Sequence, residues 1–363
     1  MTLSPITLRR LKQFKSNKRG LWSLYIFMAL LIVCLCAELI ANDKPLIIRY
    51  DDAFYFPIFN AYAETEFEGD FKTEADYRDP YVIELIDKKG WMIWPLIPYH
   101  YDTINSDLPG PAPYKPFFSY PEDTIKSGER EHCVQTPRLC VNWLGTDDQG
   151  RDVLARVIYG FRISILFGLA LTFVSSLIGV FTGAVQGYYG GWLDLVLQRF
   201  IEIWSSLPSL YILIIFSALF IPGFWTLLLI LLLFSWVQLV DVVRAEFLRT
   251  RNFDYVRAAS ALGVSNPVIM WRHVLPNAMV ATLTFIPFIL TGSIIALTSL
   301  DFLGLGLPPG SPSLGELLSQ GKNNLHAPWL GLTAFFSLSI MLTLLTFIGE
   351  AVRDAFDPRK NKP

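Results

Sequence analysis

Catalysis and metal binding need particular side chains at particular spacings, and this chain offers few such sets. Its four histidines stand at 100, 132, 273 and 326, and no two fall at a helical ligand spacing. His132 and Cys133 are adjacent, with Cys140 nearby; these three donors lack a fourth and point to a disulfide or free thiols before a metal. Pro137 between Cys133 and Cys140 favours a turn, so a Cys133–Cys140 bridge is expected if the segment lies in an oxidising compartment. Its role would be to hold the following segment in place, not redox chemistry. Cys34 and Cys36 sit inside an apolar run and read as inert packing or lipid-facing residues. No Gly-x-x-x-x-Gly-Lys-Ser/Thr stretch occurs, so the phosphate-cradling loop of an ATPase is missing. No nucleophile–base pair is legible. The reading assigns no catalytic residue, no metal and no cofactor to this chain.

The elements that carry these residues are membrane elements. Of 363 residues, 52% are hydrophobic, with ten Trp and 27 Phe, and the formal charge of −2 hides an asymmetry. Residues 1–20 carry Arg9, Arg10, Lys12, Lys15, Lys18 and Arg19 and no acid, whereas residues 42–156 carry 12 Lys/Arg against 21 Asp/Glu. A basic leader and an acidic region on either side of an apolar segment indicate a bilayer, not nucleic acid. Leu21 to Ala41, broken only by Ser23 and Glu38, is long enough to span. It exceeds the apolar core of a cleaved leader, which is roughly 7–15 residues, so it reads as a retained anchor. Ile32-Val33 before Cys34 lacks the small residues that precede a lipidated cysteine.

Residues 42–156 read as an extracytoplasmic insertion domain, with Trp91-Met92-Ile93-Trp94-Pro95 and Tyr114-Lys115-Pro116-Phe117-Phe118 as ordered turns and short strands. Further spans follow: Ile163–Gly187, a hairpin over Leu207–Val240 turning at Pro222-Gly223, Ala278–Leu300 and Leu330–Gly349. The hairpin's first helix is expected to begin near Arg199 and its second to end near Asp241. Gly179, Gly183 and Gly187 repeat every four residues and fit close helix packing. Arg162, Asp194, Arg199, Glu202 and Asp241 flank the spans and are read as snorkelling or pairing at the interfaces; only Arg199 and Glu202 sit deep enough to consider as pathway residues. The fold class is an all-α integral membrane protein of about six transmembrane helices, with an extracytoplasmic insertion between the first and second. Its parts are a basic N-terminus (1–20), a first helix (21–41), the insertion (42–156), a five-helix core (157–350) with a cytoplasmic loop (244–277), and a tail (351–363).

Basic residues in short loops set the orientation. The leader, the 244–277 loop with Arg244, Arg249, Arg251, Arg257 and Arg272, and the tail with Arg353, Arg359, Lys360 and Lys362 all fall on one side. The opposite loop, 301–329, has a single base, Lys322. Both termini are therefore expected in the cytoplasm.

The cytoplasmic loop holds the most informative pattern. Asp254 can cap a helix through Leu262, Gly263 suits a left-handed stop, Ser265 or Asn266 can cap a second start with Pro267 in its first turn, and Pro276 closes the unit. Two short helices with an Ala-Ala face and aromatic edges make either a knob for a partner's groove or a solvated loop, and physics alone leaves both open. Arg257-Ala258-Ala259, Gly263 and Leu275-Pro276 resemble the "EAA" loop of binding-protein-dependent ABC transporter permeases. The resemblance implies that Asp254, Arg257, Ala258, Ala259, Gly263, Arg272, His273 and Pro276 form a coupling helix that docks onto a cytoplasmic ATPase. Arg257 stands where that family usually has Glu, which removes any salt bridge that Glu would make; His273 stands where Ile is usual and is similar to the oligopeptide and dipeptide version.

Two more stretches resemble the "C" permeases of that subclass. Leu144-Gly145-Thr146-Asp147-Asp148-Gln149-Gly150-Arg151-Asp152-Val153, leading through Arg156 and Gly160 to Arg162-Ile163-Ser164, is read as an outer-mouth motif carried by Gly145, Thr146, Asp147, Gly150, Arg151 and Asp152. Phe302-Leu303-Gly304-Leu305-Gly306-Leu307-Pro308-Pro309, followed by Pro312-Ser313-Leu314-Gly315, matches their last outer loop. The three motifs cover roughly residues 144–356, and the 42–143 insertion is similar to larger peptide permeases of the microcin C uptake type. The resemblance implies a bacterial inner-membrane importer subunit for peptides or microcin C-like compounds. Its expected partners are a second homologous permease, two cytoplasmic ATPases or one fused ATPase, and an extracytoplasmic solute-binding protein, with ATP and Mg held by the ATPases. No motif names the residues that touch the substrate. Two other classes, an ion-coupled secondary transporter and a membrane-bound enzyme or receptor, would need intramembrane acids with inverted repeats, or catalytic residues in 42–143; neither is legible.

Overall fold

The computed structural model describes residues 5–106, 108, 110–116, 141–220 and 223–356. The expected Cys133–Cys140 bridge, His132 and the Pro222 turn lie outside the described residues. In chain order the elements begin with α1 (Pro5–Ser16), α2 (Lys18–Leu35), α3 (Ala37–Ile40), β1 (Ile47–Tyr50), β2 (Ala53–Tyr55), α4 (Pro80–Lys89) and β3 (Gly90–Ile93). Next come α5 (Val153–Tyr189), α6 (Gly191–Ser205), α7 (Ser209–Leu219), α8 (Phe224–Ser235), α9 (Val237–Thr250), α10 (Asp254–Ala261) and α11 (Asn266–Val268). A π-helical segment (Ile269–Val274) leads into α12 (Leu275–Phe302), followed by α13 (Leu314–Asn323) and α14 (Pro328–Phe356).

Among the described residues five stretches are long and apolar enough to cross a bilayer: α2, α5, Phe224–Thr250, Asn266–Phe302 and α14. The pair α6 and α7, bent by 67° at its break, supplies a sixth, in agreement with the sequence. The expected hairpin differs in detail. Its first arm starts at Gly191, directly after α5, and breaks where Pro208 has no N–H to continue the ladder. The second arm runs on to Thr250, past the expected end at Asp241, because Val243 and Phe247 have core to bury against.

Two compact units partition the chain, one of Met1–Ala29, Ser164–Pro308 and Ser339–Pro363, the other of Leu30–Ile163 and Pro309–Leu338. In the first, the glycine series of α5 packs on α9 in register. A methyl added at Gly179, Gly183 or Gly187 would lie 2.7, 2.7 or 2.6 Å from the carbonyl oxygen of Trp236, Val240 or Arg244, so only glycine permits this approach. Two apolar clusters complete the unit. One gathers Leu239, Val243, Phe247, Val256, Met270 and Val274, the other Phe167, Leu171, Leu227, Leu231, Leu297 and Leu300.

The second unit contains the short strands expected of the insertion. They form an antiparallel sheet of order β2-β1-β3, in register Arg49↔Phe54 and Arg49↔Trp91. Ile48 and Tyr50 turn inward onto Phe67, Tyr77, Val82 and Ile86. Asp79 caps α4 by accepting from the Tyr81 N–H at 2.8 Å. Further clusters hold Ala37, Ala41, Tyr99 and Tyr159 together, and Val153, Leu317, Ala327, Leu330 and Ala334 together. α5 starts at Val153, ten residues before the apolar run at Ile163, because Asp152 caps it and Arg162 pairs with Glu38 at 2.8 Å.

Candidate functional site

The helix–turn–helix of the 254–277 loop forms inside the first unit, and local chemistry explains its shape. Helix α10 ends in two bonds, Gly263 N–H to the Ser260 carbonyl at 3.0 Å and Val264 N–H to the Ala259 carbonyl at 3.2 Å. This is the Schellman pattern, and Gly263 has the φ of +80° that it requires. Ser265 stands at the start of α11, with Pro267 in its first turn, and makes no side-chain cap bond. Asp254 is not the cap that the sequence suggested: Phe253 holds that place and Asp254 is the first helical residue, with no side-chain cap bond at this start. An acid in the first turn still complements the helix dipole.

Pro276 does not close the unit either. The chain passes from α11 through one π turn into α12, with Leu275 N–H reaching the Met270 carbonyl five residues back. The wider turn accommodates a proline in the first turn of α12 without a break, so 266–302 is one continuous rod.

The two-alanine face divides. Ala259 is buried with Val256 against Phe247, Met270 and Val274, whereas Ala258 and Arg257 face outward. Leu262, 84% exposed, is the most prominent apolar residue of the knob, flanked by exposed Tyr255, Val268 and Trp271. Arg272 is exposed and His273 half-buried. The His273 carbonyl accepts from Asn277 Nδ2 at 3.3 Å, and Asn277 also donates to the Tyr255 hydroxyl at 2.8 Å. The sequence did not reveal what ties this knob to the helices behind it. Arg251 Nη1 donates to the carbonyls of Gly187 and Tyr188 at 3.2 and 3.3 Å, satisfying the exposed C-terminus of α5. Arg244 holds Asp194 in a two-pronged pair at 2.6 and 2.7 Å, and the Tyr188 hydroxyl donates to Asn266 at 3.0 Å. Arg199 pairs with Glu202 at the exposed surface.

The expected outer-mouth motif folds, in the second unit, as a tight loop around two buried carboxylates. Asp147 Oδ1 accepts from the Gln149 and Arg151 N–H groups at 2.9 and 2.8 Å, while Gly145 and Gly150 take φ of +75° and +83°. Asp147 Oδ2 accepts from Arg151 Nε at 2.7 Å. Arg156, with a wholly buried side chain, donates through Nη2 to Glu316 at 2.8 Å and to the Ser311 carbonyl at 2.9 Å, and its Nε stands 3.5 Å from Asp147. Arg151 also faces Glu316, at 3.4 Å. Two arginines and two carboxylates balance in charge, which is what makes such burial tolerable. Glu316 was missed; its only signal is an acid three residues after Ser313, in the first turn of a helix that Ser313 caps.

Thr146 bonds Tyr114 in both directions, accepting from its N–H at Oγ1 (2.8 Å) and donating its own N–H to the Tyr114 carbonyl (2.9 Å); Trp329 Nε1 donates to the Thr146 carbonyl at 3.2 Å. Asp152 accepts from the Ala155 N–H at 2.7 Å and from Asn142 at 2.8 Å, and complete burial pushes its carboxyl up to about 6. Asp148 is likewise raised, first by burial and then by the Asp147 charge. Asp147, Arg151, Asp152 and Glu316 each bond a partner within the chain, an arrangement that supplies rigidity.

Six apolar spans that carry an exposed helical knob define a membrane transport subunit. The chain belongs to the family described as binding-protein-dependent transport system inner membrane components, whose model matches residues 160–362. It is 60% identical to the peptidoglycan transport system permease protein YejE of Agrobacterium fabrum, over 98% of this chain and 94% of that one. It is 57% identical to the inner membrane ABC transporter permease protein YejE of Escherichia coli, over 99% and 98%. To the oligopeptide transport system permease protein OppC of Haemophilus influenzae it is 36% identical, over 60% and 70%. The two long alignments necessarily include the 42–143 insertion. The protein is thus a multi-pass inner-membrane permease component, and ion-coupled secondary transport falls away as an alternative.

Proposed function

We propose that this permease carries peptides or peptide-like compounds, of microcin C or peptidoglycan-fragment type, inward from an extracytoplasmic binding protein, driven by ATP hydrolysed on separate subunits. The names of the relatives support the substrate class. The observation that carries the coupling is the knob itself: Leu262 and Trp271 exposed at the tip, on helices whose inner faces are buried. Arg257, Ala258, Arg272 and the Gly263 turn form the docking surface, while Ala259 and Pro276 give it shape. A second permease completes the pathway, and two ATPases or one fused ATPase bind ATP and Mg below it. Both termini lie in the cytoplasm, as the basic loops require.

Uptake into vesicles by the reconstituted complex tests the reading. Transport of peptide should follow ATP, ignore a collapsed proton gradient, and be lost with Leu262→Glu. Uptake driven by the gradient alone would overturn it. Cysteines placed singly at Lys18 and Arg353 should resist an impermeant thiol reagent in intact cells, and one at Lys115 should react; labelling at Lys18 would reverse the orientation.

A further inference from the structure

The N-terminal helix α1 has a face that transport coupling does not use. Asn17 separates it from the first span: its side chain accepts from the Gly20 N–H at 3.2 Å and its carbonyl from the Leu21 N–H at 3.0 Å, so α2 is capped afresh. The inner side of α1 is fixed by the C-terminal part of α14. Gln13 Nε2 donates to the Asp354 carbonyl at 3.3 Å, and the Arg10 guanidinium lies 4.6 Å from the centre of the Phe356 ring. A helix that turns residues 10 and 13 inward turns 8, 11, 12 and 15 outward, at about 100° per residue. Leu8 and Leu11 are 51% and 44% exposed, and Lys12 and Lys15 beside them are exposed too.

Among the described residues Lys12 and Lys15 enter no ion pair, whereas Lys18 and Arg19 line one hollow with Glu350 and Asp354. A helix of 12 residues reaches only about 18 Å and cannot cross the apolar layer. Yet one residue joins it to a span, so its C-terminal end starts where that span leaves the apolar layer. Leucines between lysines are the chemistry of a surface helix whose apolar side chains enter the acyl boundary while the ammonium groups rise to phosphates. No acid occurs in residues 1–20, so the complementary surface is anionic.

We propose that α1 is an in-plane anchor that binds anionic phospholipid headgroups through Lys12 and Lys15, with Leu8 and Leu11 inserted beneath them. The test uses the full chain with its four cysteines changed to serine, Leu11→Cys carrying a nitroxide, in phosphatidylcholine nanodiscs with or without phosphatidylglycerol. Circular dichroism first confirms that the helices are retained. With phosphatidylglycerol the label should be open to oxygen and shielded from an aqueous nickel chelate. Each lysine at an anionic surface is worth about fivefold in partitioning, so Lys12→Gln with Lys15→Gln should lower the inserted-to-aqueous ratio about 25-fold, while the double Arg variant keeps it. A label equally aqueous in both lipids overturns the proposal. So does insertion that ignores lipid charge and the two lysines, and so does shielding that appears only when another protein subunit is added.

Discussion

Gly263 offers the sharpest test of the knob, because backbone and side-chain effects separate there. Its φ is +80°, and an added Cβ would meet no atom within 4 Å, so nothing among the described residues obstructs a side chain. The whole cost of substitution is then conformational: about 1 kcal/mol for Ala, less for Asn, which tolerates the left-handed region, and about 2 kcal/mol for β-branched Val. If Val instead unwinds the turn, the bonds from Gly263 and Val264 go as well, at about 1 kcal/mol each. The order Asn, Ala, Val should appear in thermal midpoints of the purified chain and in ATP-driven uptake by the assembled complex. Equal losses for all three, without a matching loss of stability, would mean that a docked partner fills the space around Gly263 and that the backbone argument does not govern. Normal uptake by Gly263→Val would refute both the strain and the docking role.

Glu316→Ala leaves buried Arg156 with the 3.5 Å contact to Asp147 and its bond to the Ser311 carbonyl, and should cost about 3–5 kcal/mol, seen as a lowered thermal midpoint; Arg156→Met with Glu316→Leu should recover much of it. Asp152 titrates near 6 when folded and near 4 when unfolded, so the unfolded chain holds fewer protons between those values and stability should fall as pH rises through that window. Asp152→Asn should flatten this part of the profile, and an unchanged slope would assign it elsewhere. Gly183→Ala drives a methyl to 2.7 Å from the Val240 carbonyl and should cost about 1–3 kcal/mol in denaturation of the purified chain. Arg251→Ala removes the bonds to Gly187 and Tyr188; it should lower uptake more than ATP hydrolysis, and a proportional fall in both would argue against a mechanical role.

Signals confined to one segment were legible. Apolar length gave the spans, four-residue spacing gave the glycine seam of α5, and a single glycine between helix formers gave the left-handed stop at Gly263. Failures came where a distant partner decides. Pro208 interrupts the 207–240 run near its start, and that it bends a span there depends on packing that the run itself does not record. Pro276 reads as a stop until the π turn before it is seen. Ala258 and Ala259 look equivalent in sequence, but only the second meets Phe247, whose own position depends on α9 extending past Asp241. Glu316 and Arg156 are 160 residues apart, and no local pattern names such a pair.

These long-range contacts make the 254–277 loop something other than a loop. Val256 and Ala259 sit in one apolar cluster with Val243 and Phe247 of α9. The α9 backbone is in turn pressed against the glycines of α5 at distances that leave no room to slide, since a single methyl would clash at three successive turns. Arg251 and Tyr188 tie the end of α5 back to this assembly, and Arg244 ties α6 to α9 through Asp194. Beyond the knob, the π turn carries the chain into α12, whose interior proline, Pro287, lies three turns further on. α10 is thus packed directly against α9 and, through it, against α5. Among the described residues a sharp break falls at Pro208, where α6 and α7 meet at 67°. The packed knob and the broken α6–α7 span therefore differ in stiffness: close packing fixes the first, whereas the second lacks a continuous backbone ladder across Pro208.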